Sequence, residues 1–260
     1  MSEAVNQGHV DMRVDEFGIA TIEFGHPLSN SLPGKILRKL ADTITDAGND
    51  SAVKVIVLRS TGDKAFCAGA SFDELLEIND LETSKTFFGG FAKVLNAMRT
   101  CRKIVVVRVQ GKTTGGGVGI ACAADYCFAT ENASLALTEI NLGIGPFVIG
   151  PYVERKIGKS QFTAMAIDAD FRSANWAEQH NIYHSVSPTI AEMDAEVAQF
   201  LEKLASRSSD ALALIKKVSW EGTEHFTELS PERIQMSASL ILEDTAKKNI
   251  EKIKENLRNK

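Results

Sequence analysis

The chain has 260 residues, of which 44% are hydrophobic and 24% charged, a composition typical of a soluble globular protein. Its net charge of −5 and the lack of a basic stripe argue against nucleic acid as a partner. No apolar run reaches the roughly 18 residues of a membrane span, and residues 1–6 do not resemble a targeting segment. We therefore expect a cytoplasmic protein with neither nucleic acid nor a membrane as a partner.

The predicted strands and helices alternate along the first two-thirds of the chain. Residues 9–24 alternate apolar and polar side chains around Gly18, which predicts a β-hairpin. A helix is predicted over 33–47, a strand over 53–59 and helical structure over 72–100. This alternation predicts an α/β fold.

The stretch 103–147 carries the strongest functional signal. A β-branched run at 104–107 leads to glycines at 115–117, which predicts a buried strand, a turn and the start of a short buried helix. Glycines at a helix start leave its free N–H groups open to a ligand atom, and the helix dipole favours negative charge there. Further along, Glu139 is a lone carboxylate among apolar and small residues. We interpret these features as donors for an oxyanion and a nearby base.

The C-terminal third is predicted to be mostly helical. A helix over 147–157 is expected to end at Gly158, and a last long helix to begin at Ser230, with Pro231 in its first turn. This last helix has an apolar stripe against a charged face, made of Leu242, Ala246, Ile250, Ile253 and Leu257. The stripe is compatible with packing on the protein's own body and with contact between subunits.

No linker or low-complexity segment divides the chain. We expect an α/β core over residues 1–195 and a helical segment over 196–260 that contributes to oligomerisation. The four cysteines form no C-x-x-C pair and are expected to be buried and reduced. The five histidines lack the spacing of metal ligands, so no metal site is predicted. The glycine cluster also fails the phosphate-loop and dinucleotide-binding patterns.

Two segments resemble the crotonase superfamily, which contains enoyl-CoA hydratases and isomerases. The first is Ala-Phe-Cys-Ala-Gly-Ala at 65–70, and the second runs from Val-Gln-Gly at 109–111 through the three glycines to Asp125. Glu139 follows at the family's spacing, and the order holds over essentially the whole chain. The resemblance implies a crotonase-like fold of repeated β-β-α turns with a C-terminal helical segment, assembled as a trimer or hexamer.

The resemblance also implies roles for individual residues. The backbone N–H groups of Ala70 and Gly116 would form the oxyanion hole for the carbonyl of a CoA thioester, and Glu139 would be the catalytic carboxylate. Asp125 matches a structural position. Further residues are expected to contact the substrate or its CoA, with Ala68 near the adenine: Phe66, Ala68, Gly69, Gly117, Gly119 and Phe147. Coenzyme A would be part of the substrate, and no separate cofactor is implied.

Two positions depart from typical hydratases, which use two glutamates. Gly119 stands where the first glutamate is found, and Phe147 replaces a glycine that follows the proline of the next turn. Single-glutamate sites occur among the isomerases of this family. The Gly-Gly-Val-Gly form and the segment 143–153 most resemble bacterial methylglutaconyl-CoA hydratases. A carboxylate on such an acyl chain is expected to fill the space left beside Gly119.

Four functions are compatible with these residues. A hydratase-type lyase would add water to a 2-enoyl-CoA, and this is the function that we expect. An isomerase would use Glu139 alone to move a double bond, and a decarboxylase would need chiefly the oxyanion hole. A non-catalytic CoA-binding protein would be indifferent to Glu139. The acyl chain is not predicted, because the loops at 72–100 and 144–152 have no readable pattern.

Overall fold

A computed structural model describes residues 8–258 of the chain. Its strands lie in a six-stranded and a four-stranded sheet. The strands are β1 His9–Val14, β2 Ile19–Gly25, β3 Val55–Ser60, β4 Ala65–Cys67, β5 Ile104–Val109, β6 Lys112–Thr114, β7 Tyr126–Thr130, β8 Ser134–Ala136, β9 Arg172–Ser173 and β10 Ser185–Ser187. The larger sheet has the order β1-β2-β3-β5-β7-β10 and the smaller sheet the order β4-β6-β8-β9.

The helices pack around these two sheets and form the C-terminal segment. They are α1 Gly34–Asn49, α2 Phe72–Glu77, α3 Leu81–Thr100, α4 Gly116–Ala123, α5 Gly150–Asp168, α6 Ala174–Gln179, α7 Ile190–Ala205, α8 Ser209–Ser219, α9 His225–Leu240 and α10 Asp244–Arg258. A single 3-10 turn, Glu139–Leu142, follows β8.

Three consecutive parts of the chain repeat one path. Each gives a strand to the larger sheet, then a strand to the smaller sheet, and then a helix: β3-β4-α2, β5-β6-α4 and β7-β8-α5. The first strands pair in parallel as β3-β5-β7, and the second strands pair in parallel as β4-β6-β8. The α/β fold of repeated β-β-α turns is therefore confirmed.

Several local predictions agree with the structure. The predicted hairpin is β1 paired antiparallel with β2, and Gly18 in its turn has φ +81°. The helix predicted from residue 147 begins later, at Gly150. Gly158 interrupts this helix with φ +76° and ψ 159°, and the helix resumes to Asp168. The break was predicted from the glycine, whereas the resumption was not.

The structure corrects the predicted start of the last helix. One long helix from Ser230 was expected, but the chain forms two, α9 and α10. Pro231 lies inside α9 rather than in its first turn. A proline removes one N–H donor, and the turn before it is held by Phe226, whose ring packs against Tyr152 with centroids 5.1 Å apart. Tertiary packing therefore starts the helix ahead of the proline.

The apolar stripe of α10 packs on the protein's own body. Ala246 and Ile250 are fully buried in the core that includes both sheets, and Leu242 and Ile253 are half-buried against it. The side chain of Leu257, the fifth predicted position, lies outside the described part of the chain. Packing on the protein's own body is thus the use of the stripe that the structure shows.

A buried ion pair joins the C-terminal helices to the sheets. Lys216 Nζ on α8 lies 2.7 Å from Asp125 Oδ2, and Trp220 donates its indole N–H to Oδ1 at 2.9 Å. The same carboxylate accepts the backbone N–H of Val105 on β5 at 2.8 Å. Asp125 thus links the C-terminal helix α8 to strand β5. The predicted boundary between core and C-terminal segment, at residue 195, lies inside helix α7.

Within residues 8–258, no helix is both long enough and apolar enough to cross a lipid bilayer.

Candidate active site

A cavity of about 620 Å³ lies where the strands of the smaller sheet end. Three segments meet there: the residues after β4, the residues between β6 and α4, and the 3-10 turn after β8. Because β4, β6 and β8 are parallel neighbours, their carboxyl ends lie at one edge of the sheet. Six of the nine predicted site residues line the cavity: Ala68, Gly69, Ala70, Gly116, Glu139 and Phe147.

Two glycines bring the first two segments into close contact. Gly69 has φ +81°, and a Cβ atom on it would lie 3.1 Å from the carbonyl oxygen of Thr114. A Cβ atom on Gly117 would lie 2.7 Å from the Cβ of Cys67. The backbone after β4 therefore runs directly against the start of α4, which only glycine at these positions permits. This contact sets the spacing between the backbone N–H groups of the two segments.

Ala70 and Gly116 each bring a backbone N–H group to the cavity. Leu32 donates to the carbonyl of Gly69 at 2.8 Å, and its parallel bridge with Ala70 does not use the Ala70 N–H. Gly116 is the first residue of α4, where N–H groups have no partner within the helix. Neither group meets an acceptor within residues 8–258. Two free donors beside the positive end of a helix can bind a negatively charged oxygen.

Gly116 also has a packing role. A Cβ atom on Gly116 would overlap the ring of Phe91, a buried residue of α3 that lines the same cavity. Any side chain here would separate α3 from α4. A substitution at Gly116 therefore disturbs helix packing as well as the N–H donor, whereas Ala70 is free of this conflict.

Glu139 is the one ionisable side chain among the described residues that line the cavity. It begins the 3-10 turn, which Gly143 ends in the left-handed conformation with φ +83°. Its Oε1 lies 3.1 Å from the position that a Cβ would take on Gly115, so the carboxylate lies over the residue before Gly116. Gly115 has φ +53° and ψ −120°, a conformation that other residues rarely adopt.

Burial raises the pKa of the Glu139 carboxyl group from 4.5 to about 7. Its Oε2 is inaccessible to solvent and has no hydrogen-bond partner in the described part of the chain. No cation beside it contributes to its pKa, so desolvation dominates. A carboxyl group that gains or loses a proton near neutral pH is suited to general acid–base chemistry.

The structure corrects the expectation for Gly119. A Cβ atom on Gly119 would lie 2.7 Å from Cγ2 of Ile149 and 3.4 Å from Cδ1 of Leu95, both buried. Ile149 lines the cavity, whereas Gly119 does not. The space beside Gly119, where typical hydratases carry their first glutamate, is thus filled by Ile149. A glutamate or a substrate carboxylate would require Ile149 to move, because even a Cβ atom on Gly119 would overlap its side chain.

Phe66 and Gly117 also lie behind the cavity rather than along it. Phe66 is fully buried and packs edge-on against Phe24, with ring centroids 5.5 Å apart. Gly117 faces Cys67, as described above. Both residues support the cavity wall from behind, and their contact with the substrate stays a prediction.

Phe147, by contrast, does line the cavity. It is half-buried, and its backbone N–H donates to the carbonyl of Gly145 at 2.8 Å. The chain turns so tightly that a Cβ atom on Gly145 would lie 2.5 Å from Cζ of Phe147. The ring is thus folded over Gly145 at one side of the cavity.

Other residues that line the cavity were not named individually from the sequence, although Phe72, Phe88, Phe91 and Ile144 lie in the two loops expected to line the acyl pocket. They are largely apolar and come from distant parts of the chain: Phe72, Phe88, Phe91, Leu142, Ile144, Phe171, Ser237 and Ile253. Ser237 and Ile253 give no local signal in the sequence, because only the packing of the C-terminal helices brings them here.

Helix α10 is held against the cavity by two lysines. Lys247 Nζ donates to the carbonyl of Leu75 at 2.9 Å and also to that of Ile78, so it caps the C-terminal end of α2. Lys254 pairs with Asp73 in the first turn of the same helix. These contacts fix α10 along α2, and α10 places Ile253 in the cavity wall.

Among residues 8–258, no three His, Cys, Asp or Glu side chains cluster in a way that could hold a metal ion. The four cysteines are free and buried, as expected. Burial raises the pKa of the Cys122 thiol to about 12, which keeps it protonated and unreactive at neutral pH.

Comparison with known proteins gives the family. Residues 15–259 match the family model described as enoyl-CoA hydratase/isomerase. The mitochondrial enoyl-CoA hydratase of Pongo abelii is 32% identical over 203 residues, which cover 76% of this chain and 68% of that protein. The crotonyl-CoA hydratase of Syntrophomonas wolfei is 27% identical over 197 residues, 75% of each chain. The chain therefore belongs to the enoyl-CoA hydratase/isomerase family and is an enzyme of that family.

Solved structures support the same fold. The enoyl-CoA hydratase from Bacillus halodurans superposes with a TM-score of 0.86 at 18% identity, covering 94% of this chain and 99% of that chain. An enoyl-CoA hydratase from Mycobacterium avium gives a TM-score of 0.81 at 24% identity, covering 98% of both chains. At these identities the likeness concerns the fold.

Proposed function

We propose that this enzyme adds water to a 2-enoyl-CoA thioester, with Glu139 as its single catalytic carboxylate. The observation that carries the proposal is the Glu139 carboxyl group, which has a pKa near 7 and lies in the cavity beside the two free N–H donors. The printed names of relatives such as crotonyl-CoA hydratase support the choice of reaction. Coenzyme A would arrive as part of the substrate.

The N–H groups of Ala70 and Gly116 would bind the thioester carbonyl oxygen. Attack of water at Cβ places negative charge on this oxygen as an enolate forms, and two fixed donors stabilise that charge more than they stabilise the neutral carbonyl. Loss of one such donor typically lowers the rate by about 10²–10³-fold. The apolar surroundings, which include Phe88 and Phe91, strengthen these hydrogen bonds by excluding water.

Glu139 would act first as a base and then as an acid. Its carboxylate takes a proton from the water that bonds to Cβ, and the neutral carboxyl group then returns that proton to Cα as the enolate collapses. The water oxygen ends on Cβ and one of its hydrogens on Cα, so the reaction balances without a second carboxylate. A pKa near 7 allows both steps at neutral pH.

We further propose that the substrate is a branched or carboxylated enoyl-CoA, as in the methylglutaconyl-CoA hydratases that segment 143–153 resembles. The support is the departure from the two-glutamate pattern at Gly119 and Phe147. We also propose assembly as a trimer or hexamer, supported by the exposed apolar side chains of Leu214, Ile215 and Val218 on α8.

The reaction is tested by incubating the enzyme with crotonyl-CoA and with carboxylated enoyl-CoAs in ¹⁸O-labelled water. We expect one ¹⁸O atom in each 3-hydroxyacyl-CoA product by mass spectrometry, with a higher kcat/KM for the carboxylated or branched thioesters. Movement of the double bond with no label in any product would contradict the hydratase proposal.

Isomerisation is the second candidate, and one observation favours it. Ile149 fills the space where the first glutamate of typical hydratases lies, so Glu139 is alone in the described cavity lining. One carboxylate is sufficient to remove a proton from Cα of a 3-enoyl thioester and return it to Cγ. A 3-enoyl-CoA assayed in the same labelled water distinguishes the two, because isomerisation adds no oxygen.

A further inference from the structure

A second cavity, of about 450 Å³, also has Phe147 in its lining. Phe147 is half-buried and lines both this cavity and the active-site cavity, so the two cavities are neighbours at this residue. The second cavity is formed mainly by α5, from Gly150 to Phe162, and by α9. An acyl chain that extends past Phe147 would enter it.

The second cavity has a cationic lining. Arg155, Lys159 and Arg233 line it, together with one carboxylate, that of Glu154. The active-site cavity has no cationic side chain in its described lining, so the two cavities differ in charge. Of these two described linings, only that of the second cavity offers a cationic side chain to a carboxylate at the end of an acyl chain.

Two of the three cations already have partners. Lys159 Nζ lies 3.7 Å from Glu154 Oε1, and its side chain is 80% exposed. Arg155 donates to the carbonyl of Ser219 at 2.6 Å, and its guanidinium lies 3.9 Å from the ring centroid of Trp220. The contact of Lys159 is long, but water competes for the donors of this exposed side chain, and Arg155 already uses one N–H group on a carbonyl.

Arg233 is the cation with donors to spare. Its Nη1 lies 4.0 Å from a carboxylate oxygen of Glu232 and 3.6 Å from the sulfur of Met236, both weak contacts. Its other guanidinium N–H groups have no acceptor in the described part of the chain. A half-buried guanidinium with open donors fits a carboxylate, which it can bind through two hydrogen bonds.

We propose that the second cavity binds a carboxylate at the far end of the acyl chain, with Arg233 as its partner and Phe147 as the residue that the chain passes. This inference rests on the proposed function, because it takes the first cavity as the site of the thioester. It moves the expected substrate carboxylate from the filled space beside Gly119 to a place where a cation is available.

Saturated thioesters test the proposal by binding alone, since they cannot be hydrated or isomerised. Calorimetry would compare three pairs of equal chain length: glutaryl-CoA with pentanoyl-CoA, adipyl-CoA with hexanoyl-CoA, and suberyl-CoA with octanoyl-CoA. At the length that reaches Arg233, the carboxylated member should bind about tenfold more tightly, the gain expected for one charge-assisted hydrogen bond.

Arg233→Gln should remove that preference, whereas Arg207→Gln should keep it. Arg207 is exposed and lines neither cavity, so this control loses the same charge elsewhere. Equal binding within every pair, or an unchanged preference in Arg233→Gln, would overturn the proposal. If hexanoyl-CoA binds normally but the products from ¹⁸O-labelled water carry no label, the proposed hydration is wrong. The proposed carboxylate site is not contradicted by that result.

Discussion

The two sides of the active-site cavity are built from different parts of the peptide. On one side, backbone N–H groups of Ala70 and Gly116 face the cavity, and glycines hold their segments together. On the second side, which meets the first where Glu139 Oε1 lies over Gly115, the lining is made of side chains, those of Glu139, Phe147 and Ile149. Under the proposed function, the first side would serve any thioester carbonyl, since it would contact one oxygen, and the second side would set the reaction and the acyl group.

This contrast predicts how each side tolerates change. The backbone side has no spare volume, because added Cβ atoms at Gly69, Gly116 and Gly117 would meet Thr114, Phe91 and Cys67. The side-chain side can be altered one residue at a time without moving a strand or helix. Differences among enzymes of this fold should therefore concentrate at positions such as Phe147 and Ile149.

The largest expected effect comes from removing the carboxylate. Glu139→Gln keeps the shape of the side chain but cannot take up or release a proton, so turnover should fall by about 10²–10⁴-fold. Steady-state kinetics with an enoyl-CoA would measure this, and calorimetry with hexanoyl-CoA should show that binding persists. Glu131→Gln, an exposed position, is the matched control. Near-native turnover in Glu139→Gln would exclude Glu139 as the base.

The second-largest effect is expected from removing one backbone donor, the N–H group of Ala70. Ala70→Pro removes the N–H donor but leaves the bond from Leu32 to the Gly69 carbonyl in place, so turnover should fall by about 10²–10³-fold. Ala70→Ser keeps the donor and serves as the control. A folded Ala70→Pro variant with unchanged kcat would show that this N–H does not stabilise the transition state.

A smaller effect should appear on changing pH. The pKa of Glu139 is about 7, and hydration requires the ionised form, so kcat/KM should fall about tenfold per pH unit below 7. Residual activity of Glu139→Gln should show no such step.

The raised pKa of Glu139 also makes the stability of the protein depend on pH. Activity should rise with pH, whereas stability should fall. Because burial disfavours the charged form, the native protein should lose stability as pH rises from 4.5 to 7, and Glu139→Gln should not. Urea unfolding at pH 8 should find the variant more stable, by up to roughly 3 kcal/mol. Equal stability at pH 8 would contradict the cost of burying this carboxylate.

The smallest effect concerns the contact between Gly119 and Ile149, at the position where typical hydratases carry their first glutamate. Gly119→Ala places a Cβ 2.7 Å from Ile149, so it should destabilise the protein by about 1–3 kcal/mol. In a protein that already carries Ile149→Gly, Gly119→Ala should change the free energy of unfolding little. The difference between the two free-energy changes measures the coupling between positions 119 and 149. Gly89→Ala on α3 is the control, since its nearest contact would be an ordinary 3.9 Å from Ile234. Additive losses would show that the two positions do not compete for space.

Much of the fold was predictable because its signals are local. The hairpin around Gly18, the strand that leads to the glycines and the break at Gly158 each follow from a few neighbouring residues. The start of α9 was not predictable, since Pro231 normally marks a first turn and only the contact between Phe226 and Tyr152 overrides it. Propensity is weak where tertiary packing is strong.

Parts of the site were predictable where a residue type in its sequence context rarely occurs without a chemical role. A glutamate among apolar residues and adjacent glycines at a helix start both indicate chemistry, and the structure places Glu139 and Gly116 at one cavity. Ala70, which was predicted from the family resemblance, lines the same cavity. The cavity also uses apolar side chains such as Ile149 and Ile253, which look like any core residue in the sequence. Their positions depend on contacts between segments far apart in the chain, and periodicity carries no information on such contacts.

The cavity wall that Ile253 supplies has a consequence for synthesis of the protein. Chains leave the ribosome N-terminal end first, at about 5–20 residues per second. The strands, the glycines and Glu139 all precede α10, so they can fold while the cavity is still open on the side of α10. Resistance of a nascent chain to protease should therefore develop gradually. Thioester binding should appear in one late step, when α10 docks on α2 through Lys247.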